Sequence, residues 1–107
     1  MSEHYETIAN LIYKECIRWV VDFIEEEISF STLLDRFQEN YNKFSVLEDI
    51  DLLDLLNDEK EIQLLEINIA LEDRVVAIQF DDDTYSERHL KEILIEIIKI
   101  EEKLGAN

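Results

Sequence analysis

The run Leu65-Glu66-Ile67-Asn68-Ile69-Ala70-Leu71-Glu72-Asp73-Arg74-Val75-Val76-Ala77-Ile78-Gln79-Phe80 decides the fold. Its first half alternates apolar and polar residues, and its second half is rich in β-branched ones, as strands are. A hairpin would have to turn at Glu72-Asp73, and neither residue is a good two-residue turn former. With Ile62 added, the same stretch carries Ile62, Leu65, Ile69 and Val76 at helical spacing. A hairpin on its own is marginal unless it packs on other elements. Helix is therefore the preferred reading, and a small hairpin at 65–80 is the alternative.

The flanking sequence supports helix. The chain of 107 residues has no proline and one glycine, Gly105, whereas a small β-sandwich or barrel needs many turns with φ > 0 that glycine usually supplies. Upstream, Tyr5, Ile8, Ile12, Cys16, Trp19, Val20 and Phe23 recur in three- and four-residue steps, which predicts a first helix from about Ser2 to Glu27. Ser29 or Ser31 can cap a second helix carrying Leu33, Leu34, Phe37 and Tyr41. Ser45-Val46-Leu47-Glu48 reads as a capping box opening a third helix, with Leu47, Ile50, Leu53 and Leu56 inward. Thr84-Tyr85-Ser86-Glu87 reads as another, opening a last helix that buries Leu90, Ile93, Leu94, Ile97 and Leu104 and ends near Gly105. The expected architecture is all-α: a compact bundle of four to five helices in a single domain, residues 1–107.

Charge bounds the partners. Twenty-seven acids against ten bases give a net charge of −17, while 47% hydrophobic residues leave enough apolar material for a core. Such a surface repels nucleic acid and anionic membranes and attracts basic proteins. The start Met1-Ser2-Glu3-His4-Tyr5-Glu6 lacks the basic and apolar regions of a signal peptide, and no apolar run approaches a membrane span. The cytoplasm is the expected location, and a monomer or weak homodimer the expected state.

A search for chemistry finds little. Cys16, the one cysteine, lies on an apolar helical stripe and reads as a buried small hydrophobe, with no disulfide framework implied. His4 and His89 belong to no metal-binding spacing, and Ser86 three residues before His89 is weak support for a hydrolase base. Asp81-Asp82-Asp83 with Glu92 has part of a calcium-loop spacing, but position six is Ser86 where the sharp turn needs glycine. Without glycines there is no phosphate loop. No catalytic residue, metal or cofactor is expected, and the chain is not read as an enzyme.

The arrangement of the acids carries the remaining signal. From Glu48 to Asp73 ten acids face a single base, Lys60. Glu48, Asp51, Asp54 and Asp58 are spaced by three, three and four, so on one helix they would form a row, with Asp49 beside it. Like charges in such a row oppose helix formation by roughly 0.2–0.5 kcal/mol per pair. One reading is a solvated face. The other is a regular array of carboxylates, completed by Asp81, Asp82 and Asp83, that imitates a nucleic-acid backbone and binds lysines and arginines.

Two stretches resemble a known family. Residues 19–37, Trp19-Val20-Val21-Asp22-Phe23-Ile24-Glu25-Glu26-Glu27-Ile28-Ser29-Phe30-Ser31-Thr32-Leu33-Leu34-Asp35-Arg36-Phe37, have the helix, acidic-Ile-Ser turn and aromatic-bearing second helix of the self-protective colicin-like immunity proteins. Asp81-Asp82-Asp83-Thr84-Tyr85-Ser86-Glu87-Arg88-His89-Leu90 is similar to that family's acidic loop leading into a final amphipathic helix. The resemblance implies a helical-bundle inhibitor of a cytotoxic nuclease, typically a tRNA-cleaving one, that fills the toxin's basic cleft with carboxylates and protects the producing cell. It transfers no individual contact residue. The competing reading is a phage- or plasmid-encoded nucleic-acid mimic that inhibits a restriction or CRISPR protein. A regulatory helical module or an enzyme has no positive support in the sequence.

Overall fold

The computed structural model describes residues 2–45 and 51–105, with side chains described for 4–45 and 51–98. Four α-helices account for most of it: α1 (Ser2–Ile24), α2 (Phe30–Asn42), α3 (Asp58–Gln79) and α4 (Glu87–Gly105). Short 3-10 turns occupy Lys43–Ser45 and Leu52–Leu55, and no strand occurs among the described residues. The fold is all-α. The ambiguous run 65–80 is helical up to Gln79, so no hairpin forms there. The chain divides into two compact units, Met1–Leu64 and Leu65–Asn107.

In the first unit α1 packs against α2. Ile12, Cys16, Val20 and Phe23 are buried on α1 as its periodicity predicts, together with Ala9 and Tyr13, which the stripe omitted. Leu33 and Phe37 are their buried counterparts on α2. Phe23 meets Phe30 edge-on at 6.2 Å between ring centroids, and Tyr41 stacks on Phe37 at 5.8 Å. The connection is built without glycine. Glu26 takes φ 64° while its N–H bonds to the Phe23 carbonyl and the Glu27 N–H to the Asp22 carbonyl at 2.8 Å, the paired bonds of a Schellman stop. Ser29 then caps α2, its hydroxyl accepting the Thr32 N–H at 3.2 Å.

The expected third helix is not an α-helix among the described residues. Ser45 ends a 3-10 turn, and Val46, Leu47, Glu48 and Ile50 of the expected capping box and inner face lie outside the described residues. Asp51 turns its carboxylate back onto the Leu53 N–H at 3.0 Å and caps a four-residue 3-10 turn, and Leu56 is extended at φ −79°, ψ 155°. The reason is local. An aspartate that satisfies the backbone two residues on stabilises a turn in competition with helix, and a row of like charges gives the helix nothing in return. Leu52 and Leu56 are buried here, with Leu53 half-buried.

Asn57 starts α3 by accepting the Lys60 N–H on its side-chain oxygen at 2.8 Å. Asp58, Glu59 and Glu61 occupy the first turn, where the helix dipole favours negative charge. This start is pinned to α1. Lys60 Nζ donates to Asn10 Oδ1 at 2.9 Å and stands 5.1 Å from the centre of the Tyr13 ring, whose hydroxyl bonds to buried Gln63.

The second unit contains α3 from Leu65 onward, the loop 80–86 and α4. Ile67, Ala70, Leu71 and Ala77 are buried on α3, and Leu90, Leu94 and Ile97 on α4. The apolar residues whose spacing argued for helix in the middle of the chain lie on the other side: Ile62, Leu65, Ile69 and Val76 are all exposed. The helical reading holds, but apolar residues occur on both sides of α3 and periodicity could not select the buried one. Ser86, and not Thr84, caps α4: its hydroxyl accepts the His89 N–H at 3.1 Å and its carbonyl the Leu90 N–H at 3.0 Å. Ile93 is half-buried, and the side chain of Leu104 lies outside those described.

Candidate protein-binding surface

Of the eight carboxylates singled out by sequence, Asp51, Asp54 and Asp58 belong to the first unit and Asp81, Asp82 and Asp83 to the second. Glu48 and Asp49 lie outside the described residues. Asp51, Asp54 and Asp58 are exposed in the first unit, but each has a different backbone setting: a 3-10 cap, the 3-10 turn itself and the first turn of α3. The expected helical row is therefore broken, because extended Leu56 separates Asp54 from Asp58. What survives is an exposed acidic segment with turns and bends. None of these three side chains pairs with a base among the described residues. Lys60, the one base among the ten acids from Glu48 to Asp73, is engaged by Asn10 and the Tyr13 ring.

Asp81, Asp82 and Asp83 form the second patch, in the loop after α3, and all three are exposed. The loop has a defined shape. Asp81 sits at φ 51°, its N–H bonds to the Ile78 carbonyl at 3.3 Å, and the Asp82 N–H bonds to the Ala77 carbonyl at 2.8 Å. This is again a Schellman stop with an acid where glycine is usual. Asp82 then accepts the Thr84 hydroxyl at 2.5 Å and the Thr84 N–H at 3.0 Å. Those bonds, the hydroxyl's first, hold the Asp82 carboxyl below the ordinary aspartate range.

Two further contacts tie the loop to α3. Arg74 Nη1 donates to the Tyr85 carbonyl at 2.7 Å, and the Tyr85 hydroxyl donates to the Ala70 carbonyl at 3.1 Å. Burial, and then the charge of Asp73, pushes the Tyr85 hydroxyl above its usual range, so it stays a donor. A cleft of about 420 Å³ opens here, lined by Asp73, Val76, Phe80, Asp82 and Tyr85 among others.

Residues read as chemically silent have structural places. Cys16 is fully buried, and burial pushes its thiol up to about 12, which leaves no thiolate at neutral pH. Ser86 spends its hydroxyl on the α4 cap, and the His89 ring lies edge-on to Tyr85 at 5.1 Å. Glu92, the far end of the calcium-loop spacing, faces Arg88 at 3.8 Å on the exposed side of α4. Among the described residues no group of three His, Cys, Asp or Glu side chains is placed to hold a metal ion. No described helix is long and apolar enough to cross a membrane.

Sequence reasoning missed two features. The guanidinium groups of Arg18 and Arg36 both stand over the Trp19 ring, 5.8 and 5.4 Å from its centre, within cation–π range. The larger omission is the exposed apolar face of α3, which ends at Phe80, 77% exposed, next to the acidic loop. The signal was present as a surplus: α3 has more apolar residues than one buried stripe can use. Comparison with known protein families, with curated proteins and with solved structures gives no match.

Proposed function

We propose that this protein is an immunity protein, which binds a cytotoxic nuclease, of the tRNA-cleaving kind, and covers the basic cleft of the toxin with its carboxylates. The observation that carries the reading is the shaped loop Asp81–Asp83, where three exposed carboxylates follow one another on a backbone fixed by two Schellman bonds and the Asp82–Thr84 turn. Ordered carboxylates bind lysines and arginines without first losing conformational freedom, which floppy ones must do. A net charge of −17 adds long-range attraction for a basic target. The likeness of residues 19–37 and 81–90 to the self-protective colicin-like immunity proteins supports the same reading. In this role the chain is an inhibitor that performs no catalysis itself, needs no cofactor and works in the cytoplasm of the producing cell.

The test is protection. Co-expression with a tRNA-cleaving nuclease, sought first beside this gene, restores growth of a sensitive bacterial host, and a quadruple variant with Asp51, Asp54, Asp81 and Asp83 each changed to Asn protects poorly while keeping its helical circular dichroism. Full protection by that variant, failure of the wild type to protect, or the lack of a nuclease gene beside this one would each count against the reading.

A further inference from the structure

Leu65, Ile69, Val76 and Phe80 follow one another at four-, seven- and four-residue steps, which places them on one face of α3 within about a sixth of a turn of one another. Phe80 continues the helical path, since its N–H still bonds to the Val76 carbonyl at 3.1 Å. All four are exposed, Ile69 at 56% and Phe80 at 77%. The face runs about 22 Å at the usual helical rise, close to four turns. Contiguous exposed apolar side chains on this scale mark an interaction surface.

Charge selects the occupant. Glu72 falls on the same face, between Ile69 and Val76, and is exposed, with its carboxylate 3.5 Å from Asn68 Nδ2. Asp73 lies beside it, and the face ends at Asp81–Asp83. A second copy of the chain would oppose carboxylate to carboxylate with −17 on each side. Lipid would strip water from Glu72 without offering it a cation. A basic amphipathic helix satisfies both parts, covering the apolar residues and pairing Glu72.

We infer that α3 from Leu65 to Phe80 seats an amphipathic, lysine- or arginine-bearing helix of the basic partner. Its apolar residues cover Leu65, Ile69, Val76 and Phe80. One of its cations enters the cleft beside Tyr85, with the aliphatic stem on Val76 and Phe80 and the charge between Asp73 and Asp82. The inference rests on the basic-partner reading above and adds to it a defined site and a secondary structure for the ligand.

The probe is a fluorescent 18-residue peptide of leucine and lysine with its leucines at helical spacing, compared by anisotropy with a scrambled peptide of identical composition and charge. Wild-type protein prefers the helical peptide by about tenfold, about the worth of burying one apolar side chain. Ile69→Ser with Val76→Ser, and independently Leu65→Ser with Phe80→Ser, abolish the preference, so that the helical peptide binds no more tightly than the scrambled one. These positions are exposed, so both variants should fold, and circular dichroism checks that they do. Equal binding of the two peptides to wild type, or a preference that survives both double substitutions, overturns the inference and leaves the charge-based function standing. Failure of both peptides to bind counts against the function as well. Concentration-dependent dimerisation that these same substitutions remove would assign the face to a second copy, and binding to neutral phosphatidylcholine vesicles would assign it to lipid; either result overturns the inference.

Discussion

Arg74 Nη1 donates to the Tyr85 carbonyl at 2.7 Å, so the last third of α3 holds the end of the acidic loop by a charge-assisted bond. The same loop is held again by the Tyr85 hydroxyl on Ala70. A hydrogen bond to a charged group contributes about 1.5–3 kcal/mol, and this one is partly buried. Arg74→Ala should therefore lower stability by about that amount, and Tyr85→Phe by about 1 kcal/mol. Urea unfolding followed by far-ultraviolet circular dichroism measures both. Loss of less than about 0.3 kcal/mol in each would show that the loop is not held this way.

The two helix stops that use an acid in the left-handed region make a second prediction. A non-glycine residue there costs roughly 1–2 kcal/mol, while glycine adds about 0.5–1 kcal/mol of unfolded-state entropy. Glu26, at φ 64°, is exposed on a turn between α1 and α2. Glu26→Gly should raise stability by about 0.5–1 kcal/mol, visible as a higher urea midpoint with an unchanged slope. Glu26→Val should lower it, since a β-branched residue suits that region worse.

Asp82 gives the pH prediction. Its folded value lies below its ordinary 3.8, chiefly through the Thr84 hydroxyl and then the Thr84 N–H. The charged form is therefore favoured by the fold. Its contribution is present above pH 3.8 and is lost as pH falls through the lower folded value. The group is fully exposed, so the readout is its own titration and not global stability. In carbon-detected NMR the Asp82 carboxyl should titrate below 3.8, and Thr84→Val should return it toward that value. An Asp82 titration unaffected by Thr84→Val would contradict the turn geometry.

Much of the fold was legible because several signals agreed. On α1 the periodic stripe, and at α2 the serine cap after an acidic turn, pointed the same way, and both helices formed. The absence of internal glycine argued for helices and against hairpins, correctly, although it gave no warning that Glu26 and Asp81 would themselves take positive φ. From Asp51 onward the sequence misled because apolar spacing says nothing about an aspartate's competing bond to Leu53. Among the described residues a 3-10 turn stands at Leu52–Leu55 where an α-helix was expected, and extended Leu56 separates Asp54 from Asp58. The loop Asp81–Asp83 was visible as charge, but its shape depends on Arg74 and Tyr85, whose partners are backbone carbonyls and leave no sequence motif. The outward face of α3 was hidden by its own chemistry, since apolar residues at helical spacing look the same whether they face the core or water.

Association kinetics test the central claim most directly. Ordered surface carboxylates steering a basic nuclease cleft should give a rate that depends on ionic strength, because the screening length shrinks from about 30 Å at 0.01 M salt to about 3 Å at 1 M. Mixing the protein with the proposed nuclease partner across that range should show the association rate falling by at least about tenfold. The variant with Asp51, Asp54, Asp81 and Asp83 changed to Asn should lose about tenfold at low salt, and nuclease bound to wild type should no longer bind its RNA. An association rate indifferent to both salt and these four substitutions would contradict the account and leave the carboxylates as a solvated surface.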